Sequence, residues 1–261
     1  MAQHNLNNIV IDRVLRGVFS VKDEIVFALN QVQDLSLNQT SESQEITDAL
    51  GVSIAELMRA KALEVSANNA IYDFSLLSAQ YGTEKVTASA NAKVVTPMME
   101  TFEPTEATHS LKHTPIEEPT AIYALNGDST LGAKYTKGTS ATDTQFAYED
   151  GVITLPTNMK DVEEMFVMYE YETENAIEII NSADKFAKMG KMVFECLVFD
   201  VCAPEEKMFA YLILPRFQLS NDFDWSIGGD NQQHAFGGKA HVDYCSRDKK
   251  MLKIVVVDDE E

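Results

Sequence analysis

The sequence predicts a mainly β chain with one principal α-helix and a small inserted β module. Three observations carry that expectation. Apolar residues alternate, or run in short blocks bounded by turn residues, along most of the chain. One stretch has clear helical spacing and stop signals at its ends. The middle of the chain, residues 96–157, changes composition and holds five of the prolines (Pro97, Pro104, Pro115, Pro119 and Pro156).

The strands come first. Ile25, Phe27 and Leu29 share one face of a half-buried strand over residues 24–29. Residues 193–199 and 208–214 are apolar on both faces and read as central strands. Ala240, Val242 and Tyr244 alternate with His241, Asp243 and Cys245, another strand pattern. Residues 253–257 form a last strand before the acidic tail 258–261. Turns are expected at residues 126–128, 150–151, 228–230 and 237–238, each rich in Gly, Asn or Asp.

The helix is marked by Asn69, whose side chain can cap the free N–H groups of a first turn. Ala70, Phe74, Leu77 and Tyr81 then form its core face, and Gly82 can end it in the left-handed conformation. A shorter helical turn is expected from Ser182 to Met189, ended by Gly190. Residues 53–66 are ambiguous. Ser53 with Glu56 resembles a capping box, and residues 56–63 are good helix formers. The alternative is a long strand running into the helix. Between residues 96 and 157, short apolar pieces between turns suggest a small β-sandwich module; the competing reading is one long irregular loop.

Charge narrows the function classes. The 261 residues carry 21 Lys and Arg against 41 Asp and Glu, a formal net charge of −20. A hydrophobic fraction of 45% supports a folded core. Such acidity disfavours a grip on a nucleic-acid backbone, which depends on Lys and Arg displacing counterions, and equally an anionic membrane surface. No apolar run approaches the roughly 20 residues that span a bilayer, and no signal-peptide pattern is visible. Cys196, Cys202 and Cys245 read as reduced, buried small side chains. Synthesis in a cytoplasm is the expectation, with an assembled particle left open as the final location.

Catalytic signatures are thin. His109 and His113 have a helical metal spacing in a segment where Pro115 argues against a helix. Asp222, Asp224 and Asp230 near Gly228 and Gly229 lack calcium-loop spacing. No phosphate loop, nucleophile elbow or dinucleotide fingerprint appears. The expectation is a non-enzyme with no cofactor and no metal. Glu170, Glu172 and Glu174 would share one strand face, either a wet sheet face or an acidic surface used in assembly. Met98 and Met99 after Pro97 are either core residues or an adaptable contact.

The order of pieces carries a resemblance. Residues 11–19 lead into 25–29, then 34–37, 41–43, 46–51, 61–67 and the capped helix from Asn69 to Gly82. Later come residues 125–128 with Leu131 and Gly132, residues 182–186, the strand pair around Cys196 and Leu214, and residues 236–245. This series resembles major virion structural proteins of tailed bacteriophages, of the tail-tube kind. Residues 49–51 depart from it, since relatives tend to carry an Asp-Gly turn there, which weakens the hairpin expected at that point. The resemblance implies that residues 54–66 are a strand, against local propensity. It implies a β-barrel or sandwich of tail-tube type over residues 1–95 and 158–261, with an Ig-like module over 96–157 lying outside the channel.

The implied function is assembly of a virion component. Copies form rings, usually of six, and the rings stack into a tube through which DNA passes as unbound cargo. Implied partners are further copies, with tail sheath and tape-measure proteins as possible neighbours. Candidate assembly segments are residues 5–11, residues 34–47 and the C-terminal strand. The negative charge then has two readings: solubility, or acids lining a channel that must not hold DNA, with Glu170, Glu172 and Glu174 as a candidate lumen row. Alternatives are a capsid decoration protein, or a carbohydrate- or receptor-binding module using Trp225 and the tyrosines.

Overall fold

The computed structural model describes residues 9–201, 203–228, 233–244 and 247–257. The strands in chain order are β1 (Ile9–Val21), β2 (Glu24–Leu29), β3 (Val32–Thr47), β4 (Ser53–Asn69), β5 (Val86–Thr87), β6 (Val94–Phe102), β7 (Thr108–Ser110), β8 (Ala121–Leu125) and β9 (Leu131–Lys137). They continue as β10 (Gln145–Glu149), β11 (Val152–Thr154), β12 (Glu164–Thr173), β13 (Ile177–Glu178), β14 (Met189–Asp200), β15 (Ala203–Leu219), β16 (His234–Ala240) and β17 (Lys253–Val257). Among the described residues there is one helix, α1 (Phe74–Tyr81), which follows β4. The mainly β expectation with one helix therefore holds.

Two compact units divide the chain. The first joins Met1–Lys85 to Ile179–Glu261, and the second is Val86–Glu178. This second unit is wider than the 96–157 span expected from composition. The reason is register: β12 pairs along its length with β6 and also with β8, so Glu164–Thr173 joins the second sheet.

The first unit is an eight-stranded sheet with the path β2-β1-β14-β15-β16-β4-β3, and β17 branches from β15. The branch arises because β15 is long. Its residues 209–213 pair with β17, while 217–219 pair with β16. The core on one face of this sheet holds Phe19, Phe194, Phe217, Met192, Met208 and Leu214, all fully buried, with Leu76 of the helix. Cys196 belongs to this core, and burial pushes its thiol pKa up. Cys202 and Cys245 lie outside the described side chains.

Several expectations are corrected here. Phe27 and Leu29 are buried, but Ile25 is 65% exposed. A register shift between Phe19 and Ser20 places Ile25 opposite Ser20, which turns it to the other face. The helix starts later than expected because Asp73, not Asn69, caps it: Asp73 Oδ1 accepts from the Leu76 N–H at 2.7 Å. Asn69 instead ends β4. The helical phase moves accordingly. Leu77 is buried and Tyr81 half-buried, but Phe74 is 46% exposed and Ala70 is exposed before the helix; Leu76 and Ala79 take the core positions. Gly82 ends the helix at φ 69° as expected, and a side chain there would collide with the Phe186 carbonyl.

Residues 182–188 form a turn rather than a helix, and Gly190 lies inside β14. Strand β16 stops at Ala240, so the alternation through Tyr244 is not strand, and Cys245 is outside the described residues. Gly237 and Gly238 sit within β16 and are no turn. A Cβ on Gly238 would lie 2.1 Å from the Gln218 carbonyl oxygen, and one on Gly237 2.7 Å from that of Val65. These glycines let β16 fit between β15 and β4.

Residues 53–66 are strand. Ladder pairing with β3, and with β16 from Leu63 onward, overrides helical propensity. The turn before them closes without an Asp-Gly pair: Asp48 Oδ1 accepts from the N–H groups of Leu50 and Val52, both at 2.8 Å, and Gly51 adopts φ 82°.

The second unit is a seven-stranded path, β6-β12-β8-β9-β10-β11-β7, with a separate β13-β5 pair. Its own core holds Ile122, Phe146, Ile153, Met165, Val167 and Tyr169. The Asp150 and Gly151 turn joins β10 to β11 with both residues at positive φ, the hairpin geometry those residue types favour.

Candidate assembly surface

The most exposed element is the far half of the β3–β4 hairpin. All residues from 41 to 62 are exposed, on both faces of the ribbon. Within it lie Ile46, Leu50, Val52, Ile54, Leu57 and Met58. The near half is different: Val32, Leu63, Val65 and Ala67 are buried in the core. The ribbon is anchored at one end and bare at the other. An isolated two-stranded ribbon is marginal in water, and apolar side chains on both faces add to the cost of leaving it solvated.

Open strand edges accompany it. β16 pairs with β4 only from Leu63 onward, so residues 53–62 of β4 have, among the described residues, a ladder partner on one side alone, β3. β2 pairs with β1 only from Gly17 onward, so residues 9–16 of β1 have no ladder partner on that side among the described residues. β3 and β2 end the main sheet path, and β17 ends its branch. Open edges of this length are templates for pairing with another chain.

The candidate segments distribute as follows. Residues 34–47 fall in β3, and the C-terminal strand is β17. Of residues 5–11, only Ile9 to Ile11 are described, as the start of β1; residues 5–8 lie outside the described residues. Glu170, Glu172 and Glu174 are all exposed, and Glu170 and Glu172 lie on β12 of the second unit. Lys93 Nζ approaches Glu172 and Glu174 at 3.8 and 3.9 Å. Met99 is exposed opposite Met168, whereas Met98 packs against the second core.

Two polar clusters account for most of the histidines. Glu100 is 1% exposed, and His109 Nε2 donates to its Oε1 at 2.8 Å. Its Oε2 accepts from Tyr169 O–H at 3.0 Å and from the Lys112 N–H at 3.2 Å. Burial pulls the Glu100 pKa up, but these hydrogen bonds outweigh it and hold the carboxyl below its usual range. Burial, with the neighbouring carboxylate, pushes Tyr169 up to about 12. His109 stacks on Phe102 and His113 on Tyr171. In the first unit, His234 Nε2 meets Gln80 Oε1 at 2.8 Å, among Tyr72, Phe223 and Trp225 rings. Burial pushes the His234 pKa down, opposed by Asp73. Glu100, His109 and Tyr169 satisfy one another, with the Lys112 N–H, as a structural polar network does, whereas in the second cluster His234 meets Gln80 while the neighbouring Trp225 Nε1 is buried without a hydrogen-bond partner.

Among the described residues, no group of three or more His, Cys, Asp or Glu is placed to hold a metal ion, and no helix is long and apolar enough to cross a membrane. Sequence reasoning missed Glu100, which sat unremarked in a mixed segment. The exposed hairpin was half legible: residues 34–47 were marked, and the bare β4 strand was not.

The described residues thus form a mainly β protein of two sheet-built units, with a long exposed ribbon on the first. The family model described as the YomU/Tube protein family matches residues 10–254, and the chain belongs to that family. This places it with phage tube-type structural proteins. No curated protein matches the chain.

Proposed function

We propose that this protein is a non-enzymatic virion component that assembles with its own copies into stacked rings, forming a tail tube through which phage DNA passes. The observation that carries the reading is the ribbon of residues 41–62, apolar on both faces and exposed along its whole length. Such a ribbon gains most when other copies cover it, and the open edges of β1, β2, β4 and β17 offer sheet continuation from one copy to the next. Membership of the tube family supports the same reading. Rings of six copies, and sheath and tape-measure proteins as neighbours, belong to this proposal.

The acidic row lies in the second unit, which contains and extends beyond the 96–157 module that the resemblance expects outside the channel. A lumen role for Glu170, Glu172 and Glu174 and an outer position for that unit cannot both hold. A reconstruction that locates the second unit decides between them.

Sedimentation velocity and negative-stain electron microscopy of the purified protein test the main reading. Rings or short tubes that grow with concentration are expected. Monomers persisting at high concentration, with the protein found on capsids instead, would overturn it in favour of decoration.

A further inference from the structure

We propose that the far half of the β3–β4 hairpin docks on the outer sheet face of a second copy, with Glu45 and Glu56 meeting Lys191 and Lys253. This rests on the self-assembly reading and names one of its contacts.

The hairpin side follows from register. Glu45 stands directly opposite Glu56. Like charges directly opposed across a sheet repel, so the pair destabilises the ribbon when it stands alone. Neither carboxylate has an ion-pair partner among the described residues. Met58 lies on the same face opposite Ser43, and Ile54 sits at the adjacent register shift; they are 69% and 66% exposed. The face therefore joins two uncompensated carboxylates to the wet Met58 side chain, with the exposed Ile54 beside it at the register shift. Its fitting partner is apolar and cationic.

The first unit offers such a surface at the other end of its sheet. Cross-strand register sets Ala28, Val18, Val193, Ile213 and Lys253 in one row across five strands. The neighbouring row on one side is Ile25, Ser20 and Lys191, and on the other Arg16, Glu195, Tyr211 and Val255. These rows face away from the core, because the intervening Phe19, Met192, Phe194 and Leu212 point into it. Val18, Val193 and Ile213 are only half-buried. A shallow groove of about 400 Å³ runs along the rows.

Charge decides the match. Two acids line the groove, Glu195 and Asp23. Glu195 is engaged by Arg16 at 3.7 Å and by the Tyr211 O–H at 3.2 Å. Lys191 and Lys253 are exposed and have no ion-pair partner among the described residues. In a chain of net charge −20, two uncommitted lysines flanking an apolar row stand out as the complement of the Glu45 and Glu56 pair. The occupant is a second copy because residues 41–62, Lys191 and Lys253 are all exposed in the single chain, so neither surface covers the other within one copy. That makes a head-to-tail contact, which propagates from copy to copy or closes a ring.

Charge reversal tests the contact. Glu45→Lys with Glu56→Lys, and separately Lys191→Glu with Lys253→Glu, should each weaken assembly by sedimentation velocity on the order of tenfold or more. The combined four-fold variant should regain most of it. Circular dichroism melts confirm that each variant is folded. Zero-length carbodiimide crosslinking of the unmodified protein, mixed from light and ¹⁵N-labelled copies, gives a readout that needs no variant. Crosslinks between copies joining Glu45 or Glu56 to Lys191 or Lys253 are expected. Normal assembly of folded Lys191→Glu, Lys253→Glu protein, or an assembled protein whose intercopy crosslinks avoid these four residues, overturns the contact while leaving self-assembly standing. An unmodified protein that never associates overturns self-assembly itself, and the contact with it.

Discussion

At the scale of single residues, the two buried titratable centres make opposite demands on the chain but the same demand on pH. Glu100 has a folded pKa below its ordinary value because hydrogen bonds from His109, Lys112 and Tyr169 outweigh its burial. Its contribution is therefore full above the unfolded value near 4.5 and is lost as pH falls through the lower folded value. His234 is held neutral by burial, so its folded pKa lies below the 6.5 of a free histidine. The folded state then binds fewer protons than the unfolded one, and stability is lost as pH falls below 6.5 toward the folded value. Urea unfolding at pH 7.5 and 5.5 should show a lower midpoint at pH 5.5, and His234→Gln should flatten that difference. Glu100→Gln should cost about 1–3 kcal/mol at neutral pH, because it replaces three charge-assisted hydrogen bonds with weaker ones around a buried amide. Unchanged midpoints in Glu100→Gln would show that the network contributes nothing net.

At the scale of elements, the same reasoning separates what anchors a strand from what merely continues it. Gly238 belongs to the anchored part, where a Cβ would sit 2.1 Å from a backbone oxygen of β15. Gly238→Ala must push β16 off its neighbours and should lower stability by about 1–3 kcal/mol in equilibrium unfolding. Asp48 belongs to the continuation. Asp48→Ala removes two N–H acceptors from the tip of a ribbon that the core does not touch. Hydrogen exchange of residues 41–62 should speed up, with the global unfolding midpoint nearly unchanged. The elements legible in the sequence are β14 and β15, whose apolar runs include the core residues Met192, Phe194, Leu212 and Leu214, and Gly82, whose conformation ends the helix. The failures have a physical common cause. A single register shift at Phe19 turned Ile25 outward, and a cap four residues later than Asn69 rotated the helix away from Ala70 and Phe74. Neither a bulge nor the choice between two good caps leaves a mark in periodicity.

At the scale of the whole molecule, two cores divide the labour. One holds Phe19, Phe194 and Phe217, and the other Ile122, Phe146 and Ile153, with no residue shared between them. The boundary at Val86–Glu178 escaped composition because the Pro- and Thr-rich stretch marks only the loops of the second unit, while its longest strands, β6 and β12, read like any others. Separate cores make separate consequences. Phe146 is fully buried, and Phe146→Ala removes a ring that the second core cannot refill, a loss of about 3–5 kcal/mol. Hydrogen-exchange mass spectrometry should then show lost protection in the strands from Val94–Phe102 to Glu164–Thr173, while β1, β14 and β15 keep theirs. The bare ribbon and the edges assigned above to assembly belong to the first unit, so this variant should still assemble to the extent that the unmodified protein does. Loss of assembly in folded Phe146→Ala protein would instead place part of the intercopy contact in the second unit.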